Sequence, residues 1–159
     1  MMFSVQQKKT NRQREHDSYA LEYHLSQALP SGATVCALYP KEILTKLLPI
    51  VAKEKKLSVM LIGGNAEAVR ALTDAGVLVA KGIPDVYVGE PAGFSSKGSL
   101  VHHAETPEWT NRSIIAIGSV QQFATHLLAK FDMLHTHKVV SEIGVLPYQL
   151  FAEEVTRLS

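Results

Sequence analysis

LSVMLIGGNAEAVRALTDAG, residues 57–76, holds an apolar run, two glycines with an asparagine, a helix-period run and a closing glycine. Leu57 to Ile62 reads as a strand, and Gly63, Gly64 and Asn65 turn the chain into a helix from about Ala66. Val69, Leu72 and Ala75 recur at helical spacing and are expected on its inner face. Gly76 stands where a helix C-terminus favours a left-handed residue. Strand, turn, helix and stop make one βα unit.

A second unit precedes it. Ala33 to Leu38 is short and apolar, the pattern of a buried strand, and Pro40 suits the first position of a helix, where its missing N–H is not needed. Ile43, Leu44, Leu47, Leu48 and Val51 form that helix's inner stripe, Pro49 is expected to kink or end it, and residues 53–56 read as a solvated connector. Upstream, Leu21, Leu25, Ala28 and Leu29 mark a helix over 12–29, stopped by Pro30, Ser31 and Gly32. Downstream, strands are expected over 77–80, 85–88, 99–102, 113–117 and 138–140. Helices are expected over 118–130, through Val120, Phe123, Leu127 and Leu128, and over 148–158, with Leu150, Val155 and Leu158 inward. Strands alternating with helices make right-handed crossovers, so the expected fold is a three-layer, Rossmann-like α/β domain: a mainly parallel sheet with helices on both faces. Residues 1–11 read as a polar tail and 12–159 as a single domain.

At 159 residues the chain is long enough for one full core, and a net charge of +1 gives no general attraction to nucleic acid or anionic membrane. No nucleic-acid or membrane partner is expected. One cysteine, Cys36, excludes an intrachain disulfide, and its apolar setting suits a small core residue. No apolar run approaches the roughly 20 residues of a membrane-spanning helix. The first residues lack the apolar stretch of a secretory signal, so a cytoplasmic location is expected.

Two segments can carry a ligand. In the turn at 62–65, backbone N–H groups of Gly63, Gly64 and Asn65 at a helix start can hold a phosphate or carboxylate. The stretch GEPAGFSSKGS, residues 89–99, offers Gly89, Gly93 and Gly98, the hydroxyls of Ser95 and Ser96, and the ammonium of Lys97. Glu90 closes a strand at the edge where parallel sheets bind ligands, which makes it the candidate general base. Neither a dinucleotide fingerprint nor a phosphate-binding P-loop is present, so no cofactor is expected. Among seven histidines, His102 and His103 are adjacent, while His135 and His137 share a side of any strand they occupy. A zinc site needs three or four ligands, and no metal is assigned.

The stretches LPSGATVCALYPKEILTKLL (29–48), LSVMLIGGNAEAVRALTDAGV (57–77) and IPDVYVGEPAGFSSKGSLVHHAET (83–106) together resemble one superfamily. It holds ribose-5-phosphate isomerase, CoA transferases and the sugar-sensing domains of DeoR-type repressors. The order is most similar to the regulatory subunits of eukaryotic initiation factor 2B and to methylthioribose-1-phosphate isomerase. Asp85, Val86, Val88 and Gly89 fit that branch's D-x-V-x-V-G-A-D strand, and Gly98 fits its turn glycine. Pro91 stands at the isomerase aspartate, with Glu90 beside it, and His102 and His103 replace an Asn-Lys pair. A second resemblance, carried by SSKGSLVHH (95–103) and SIIAIGSVQQFATHLL (113–128), is to the lactate-utilisation LUD domain.

The resemblance implies a regulatory-type domain binding an anionic metabolite, such as a phosphorylated sugar, a nucleotide or a carboxylate, without the family's isomerase activity. The enzymatic alternative is a sugar-phosphate isomerase or acyl-transfer relative, with Glu90 as base and His102 or His103 as acid. A third expectation is a non-catalytic subunit of a homo-oligomer or larger assembly, with Tyr148, Leu150 and Phe151 as apolar contacts.

Overall fold

The computed structural model describes residues 11–94, 113–125 and 138–158. Its elements run α1 (Asn11–Ala28), β1 (Thr34–Leu38), α2 (Glu42–Lys55), β2 (Ser58–Ile62), α3 (Ala66–Asp74), β3 (Val86–Gly89) and α4 (Pro91–Phe94). Then follow β4 (Ser113–Ile117), α5 (Val120–Thr125), β5 (Lys138–Ser141), β6 (Gly144–Pro147) and α6 (Tyr148–Leu158). The strands form one sheet in the order β2-β1-β3-β4-β5-β6. All neighbours are parallel except β5 and β6, which pair antiparallel through Ser141↔Gly144 and Val139↔Leu146.

Alternation along β1 divides the core. Val35 and Ala37 point to one face and join Val59, Val86 and Val88 under α1, α2 and α3, through Leu21, Leu25, Leu44, Leu47, Leu48, Val51 and Leu72. Cys36 and Leu38 point to the other face and meet Tyr87, Ile114, Ala116 and Val139 under Phe123 of α5 and Phe151 of α6. Helices on both faces of a mostly parallel sheet are the three-layer α/β fold read from the sequence.

Local chemistry explains several boundaries. Helix α3 closes in a Schellman arrangement: Val77 N–H donates to the Leu72 carbonyl at 3.2 Å and Gly76 N–H to that of Thr73 at 2.9 Å, with Gly76 at φ +72°. Its buried residues are Ala68 and Leu72, whereas Val69, expected inward, is exposed. Helix α2 begins at Glu42, two residues beyond the expected Pro40, and runs through Pro49 to Lys55. Lys53 and Lys55, expected in a connector, form its last turn. The Lys55 ammonium donates to the carbonyls of Ser26 and Leu29 and so pins α2 to the end of α1.

The expected strand over 77–80 is reduced to a bridge at Leu78, held by Val59 N–H to Val77 O and Val79 N–H to Val59 O, each 2.9 Å. The chain then passes along the sheet's amino edge to Asp85. The Asp85 carboxylate accepts from Thr34 N–H at 2.9 Å and its own N–H donates to Thr34 O at 2.7 Å, which sets the start of β3 beside β1. In α6, Phe151 rather than Leu150 is the core residue: Phe151 is fully buried and Leu150 is 50% exposed. Residues 99–102, expected as a strand, lie outside the described residues.

The Phe123 and Phe151 rings meet edge to face, with centroids 4.7 Å apart at 67°. Phe151→Ala should lower unfolding stability by about 3–5 kcal/mol, measured by urea titration, whereas Leu150→Ala should change it by less than about 1 kcal/mol.

Candidate functional site

The strand order places the candidate site. From β1 the chain steps outward to β2 on one side, and β3 lies on the other, so the carboxyl ends of β1 and β3 flank a topological switch point. Leu38 pairs with both Ile62 and Gly89, which brings the ends of β2, β1 and β3 to one rim. The Gly63–Asn65 turn and the Gly89–Glu90 segment therefore stand on either side of Tyr39, two strand spacings or about 10 Å apart.

Glu90 leaves β3 and turns its carboxylate onto the first turn of α2. The side chain is 1% exposed. Its Oε2 accepts from Lys41 N–H at 2.6 Å and its Oε1 from Ile43 N–H at 3.1 Å. These are amides that a helix start leaves without internal partners, and Lys41, the residue at the cap position, supplies no side-chain bond of its own. A carboxylate from a distant strand thus does the work of an N-cap, favoured by the helix dipole. Burial pushes the Glu90 pKa up; the N–H groups of Lys41, Leu44 and Ile43 pull it down, and the Glu42 charge adds a smaller upward push. Burial outweighs the rest and the net direction is upward.

Tyr39 links the two sides of the rim. Its backbone sits at φ +46°, a rare conformation for a bulky residue, held by its N–H donating to Ile62 O at 2.7 Å. Such geometry costs about 1–3 kcal/mol and persists only where its surroundings enforce it. The Tyr39 ring lies over Gly63, where a Cβ would come within 2.1 Å of it, and Gly63 itself has φ +68°. Glycine is required there on both counts. The Asn65 side chain caps α3 by accepting from Ala68 N–H at 2.8 Å. Each helix also carries a glutamate in its first turn, Glu42 in α2 and Glu67 in α3.

Of the residues singled out from sequence, Gly63, Gly64, Asn65, Gly89 and Glu90 share this rim, and Gly93 lies in α4, which continues from it. Ser95, Ser96, Lys97, Gly98, His102, His103, His135 and His137 lie outside the described residues. Among the described residues no cluster of three His, Cys, Asp or Glu is placed to hold a metal. Burial pushes the Cys36 thiol up to about 12, which leaves it a core residue without thiolate character.

Sequence reasoning missed Tyr39 and the remote caps, because a left-handed tyrosine and a carboxylate reaching from another strand leave no local signature. It also missed a local one. Ser119 and Gln122 form a capping box at the start of α5: Gln122 N–H donates to Ser119 Oγ at 3.1 Å and Ser119 N–H to Gln122 Oε1 at 2.8 Å. The Glu142 carboxylate adds a second remote cap, both oxygens 3.0 Å from Val120 N.

No family model matches the chain, and no curated protein matches it. Solved structures do. The chain is similar to the tetrameric eIF2B-beta2-delta2 complex from Chaetomium thermophilum, with a TM-score of 0.68 at 12% identity over 93% of this chain and 62% of the other. Subunit delta of translation initiation factor eIF-2B from A. fulgidus gives 0.67 at 11% identity over 92% and 63%. Translation initiation factor eIF-2B from Pyrococcus horikoshii OT3 gives 0.65 at 11% identity over 86% and 66%. The chain spans only 62% of the first of these neighbours. Identities this low show a shared fold. The resemblances to methylthioribose-1-phosphate isomerase and to the LUD domain rest on the sequence alone.

Two variants probe the rim. Glu90→Ala should orphan amides at the start of α2 and cost about 2 kcal/mol in urea unfolding. Folded Glu90 keeps its proton to higher pH than an unfolded glutamate, whose ordinary value is 4.5, so its protonation favours the fold. Wild type should therefore lose stability relative to Glu90→Gln as pH rises from that value through the folded pKa; a difference independent of pH would contradict the burial. Gly63→Ala should cost about 2 kcal/mol, and less in a Tyr39→Ala background, because the ring clash is then gone; equal costs in the two backgrounds would contradict the contact.

Proposed function

We propose that this chain is a regulatory-type α/β domain of the initiation factor 2B kind that binds a small metabolite along the β1, β2 and β3 rim and does not isomerise sugar phosphates. One observation carries this reading: the rim carboxylate closest to the switch point, Glu90, is buried and hydrogen-bonded to Lys41 and Ile43 amides. A general base must reach a substrate proton with a free lone pair. A carboxylate that closes a helix start does so only by uncapping it. The same carboxylate stands where a substrate phosphate would meet the α2 N-terminus, so the helix's anion-binding capacity is already taken.

A second reading, compatible with the first, is a subunit role in a protein assembly of the cytoplasm. Tyr19, Tyr23, Ile50 and Leu150 are large apolar residues at 74%, 61%, 46% and 50% exposure, and the neighbour from Chaetomium thermophilum is itself a tetrameric complex. Among the described residues no helix is long and apolar enough to cross a membrane.

The test is turnover. Purified chain incubated with ribose 5-phosphate or methylthioribose 1-phosphate, followed by NMR of the sugar protons, should show no aldose-to-ketose conversion. Conversion by wild type that is abolished in folded Glu90→Gln would make the chain an enzyme and sink the proposal.

A further inference from the structure

A groove of about 690 Å³ opens between α2 and α3, beside the rim. Lys41, Glu42, Thr45 and Lys46 line one wall, Asn65 and Glu67 the other. Two ammonium groups and two carboxylates thus face one cleft, and none of the four enters an ion pair among the described residues. One polar group of the groove wall is unsatisfied. The Thr45 hydroxyl oxygen is buried without a hydrogen-bond partner among the described residues. A helical threonine commonly bonds back to the carbonyl four residues earlier; here the Lys41 carbonyl accepts the Thr45 N–H at 2.8 Å, while the hydroxyl bonds nothing. Four residues on, Pro49 also lines the groove, and it has no N–H to give the Thr45 carbonyl its regular helical partner. Thr45, a residue of the groove wall, thus has a hydroxyl without a partner and a carbonyl without its regular helical one.

Charge decides which ligand fits. A phosphate dianion entering here meets Glu42 and Glu67 in the first turns of both helices and Glu90 already on the amides of α2, against two lysines. An ammonium group has Thr45 and a glutamate beside it, and a carboxylate has Lys41 and Lys46. We infer that the α2/α3 groove binds a small zwitterion of the α-amino acid class, its ammonium toward Thr45 and Glu42 or Glu67 and its carboxylate toward Lys41 and Lys46. This inference rests on the reading that the rim serves a small ligand, and it replaces the anionic class expected from sequence with a zwitterionic one.

Isothermal titration of the full chain with the standard L-amino acids, one at a time, against inorganic phosphate and ribose 5-phosphate, tests it. At least one free amino acid should bind saturably. Its N-acetyl and methyl-ester forms, each lacking one charge, should bind about tenfold more weakly or worse, as should the free amino acid to Thr45→Val and to the surface variant Lys46→Met. Binding that survives both blocking groups, or is unchanged in Lys46→Met, overturns the inference. Binding of ribose 5-phosphate with no amino acid bound overturns it while leaving the metabolite reading standing; binding of nothing in the panel overturns both.

Discussion

A buried carboxylate on the first amides of a helix organises this molecule. Glu90 follows the last residue of β3, and the amides it holds belong to the segment leaving β1. The contact therefore fixes the relation of two neighbouring strands to the helix that covers them, at the level where the sheet stops. Its strength comes from the same feature that makes it costly. In a nearly water-free site a charged acceptor gains much from amide donors and the helix dipole, yet loses its own hydration. The upward push on its pKa shows that the loss is not fully offset. Removing the carboxylate leaves the first amides of the helix without their acceptor.

The neighbouring backbone is shaped around that contact. Tyr39, the residue between β1 and the capped segment, is forced into a left-handed conformation, and its ring fills the space that Gly63 leaves by lacking a side chain. One rim thus holds an internal anion, a strained aromatic and a side-chain-free turn, each depending on the next. Both helices that start beside it carry their own first-turn glutamates. Helix starts with this many resident carboxylates are poor phosphate receptors, whatever the fold's relatives bind. The ammonium groups of Lys41 and Lys46 are what keep the adjoining groove from being purely acidic.

The layers of the fold were legible because they rest on local patterns. Residues 33–38 and 57–62 are apolar runs of strand length, Leu44, Leu47, Leu48 and Val51 hold a helical stripe, and Gly76 sits where the Schellman turn needs it. Errors arose where tertiary structure overrides the local signal. Pro49 did not end α2, because a stripe of buried leucines and Val51 continues across it and holds the helix against the sheet. The β5–β6 hairpin was read only as its first strand, since Glu142 and Ile143 are not typical turn residues and Gly144 was the one cue. Gly63, Gly64, Asn65, Gly89 and Glu90 share one rim, because strand ends in parallel sheets gather there. Their duties were hidden. Nothing in the local sequence says that Glu90 reaches back to residues 41 and 43, nearly fifty positions earlier, or that Asn65 spends its amide oxygen on α3.

The central claim is that Glu90 and the start of α2 are one unit. It is tested most directly by an NMR pH titration following the Glu90 carboxyl carbon together with the backbone amide protons of Lys41 and Ile43. A buried cap predicts that all three titrate with one midpoint, which burial holds above the ordinary glutamate value of 4.5. A Glu90 that titrates at or below that value, with amides that do not follow it, would mean that the carboxylate faces solvent and that the rim is open to substrate after all.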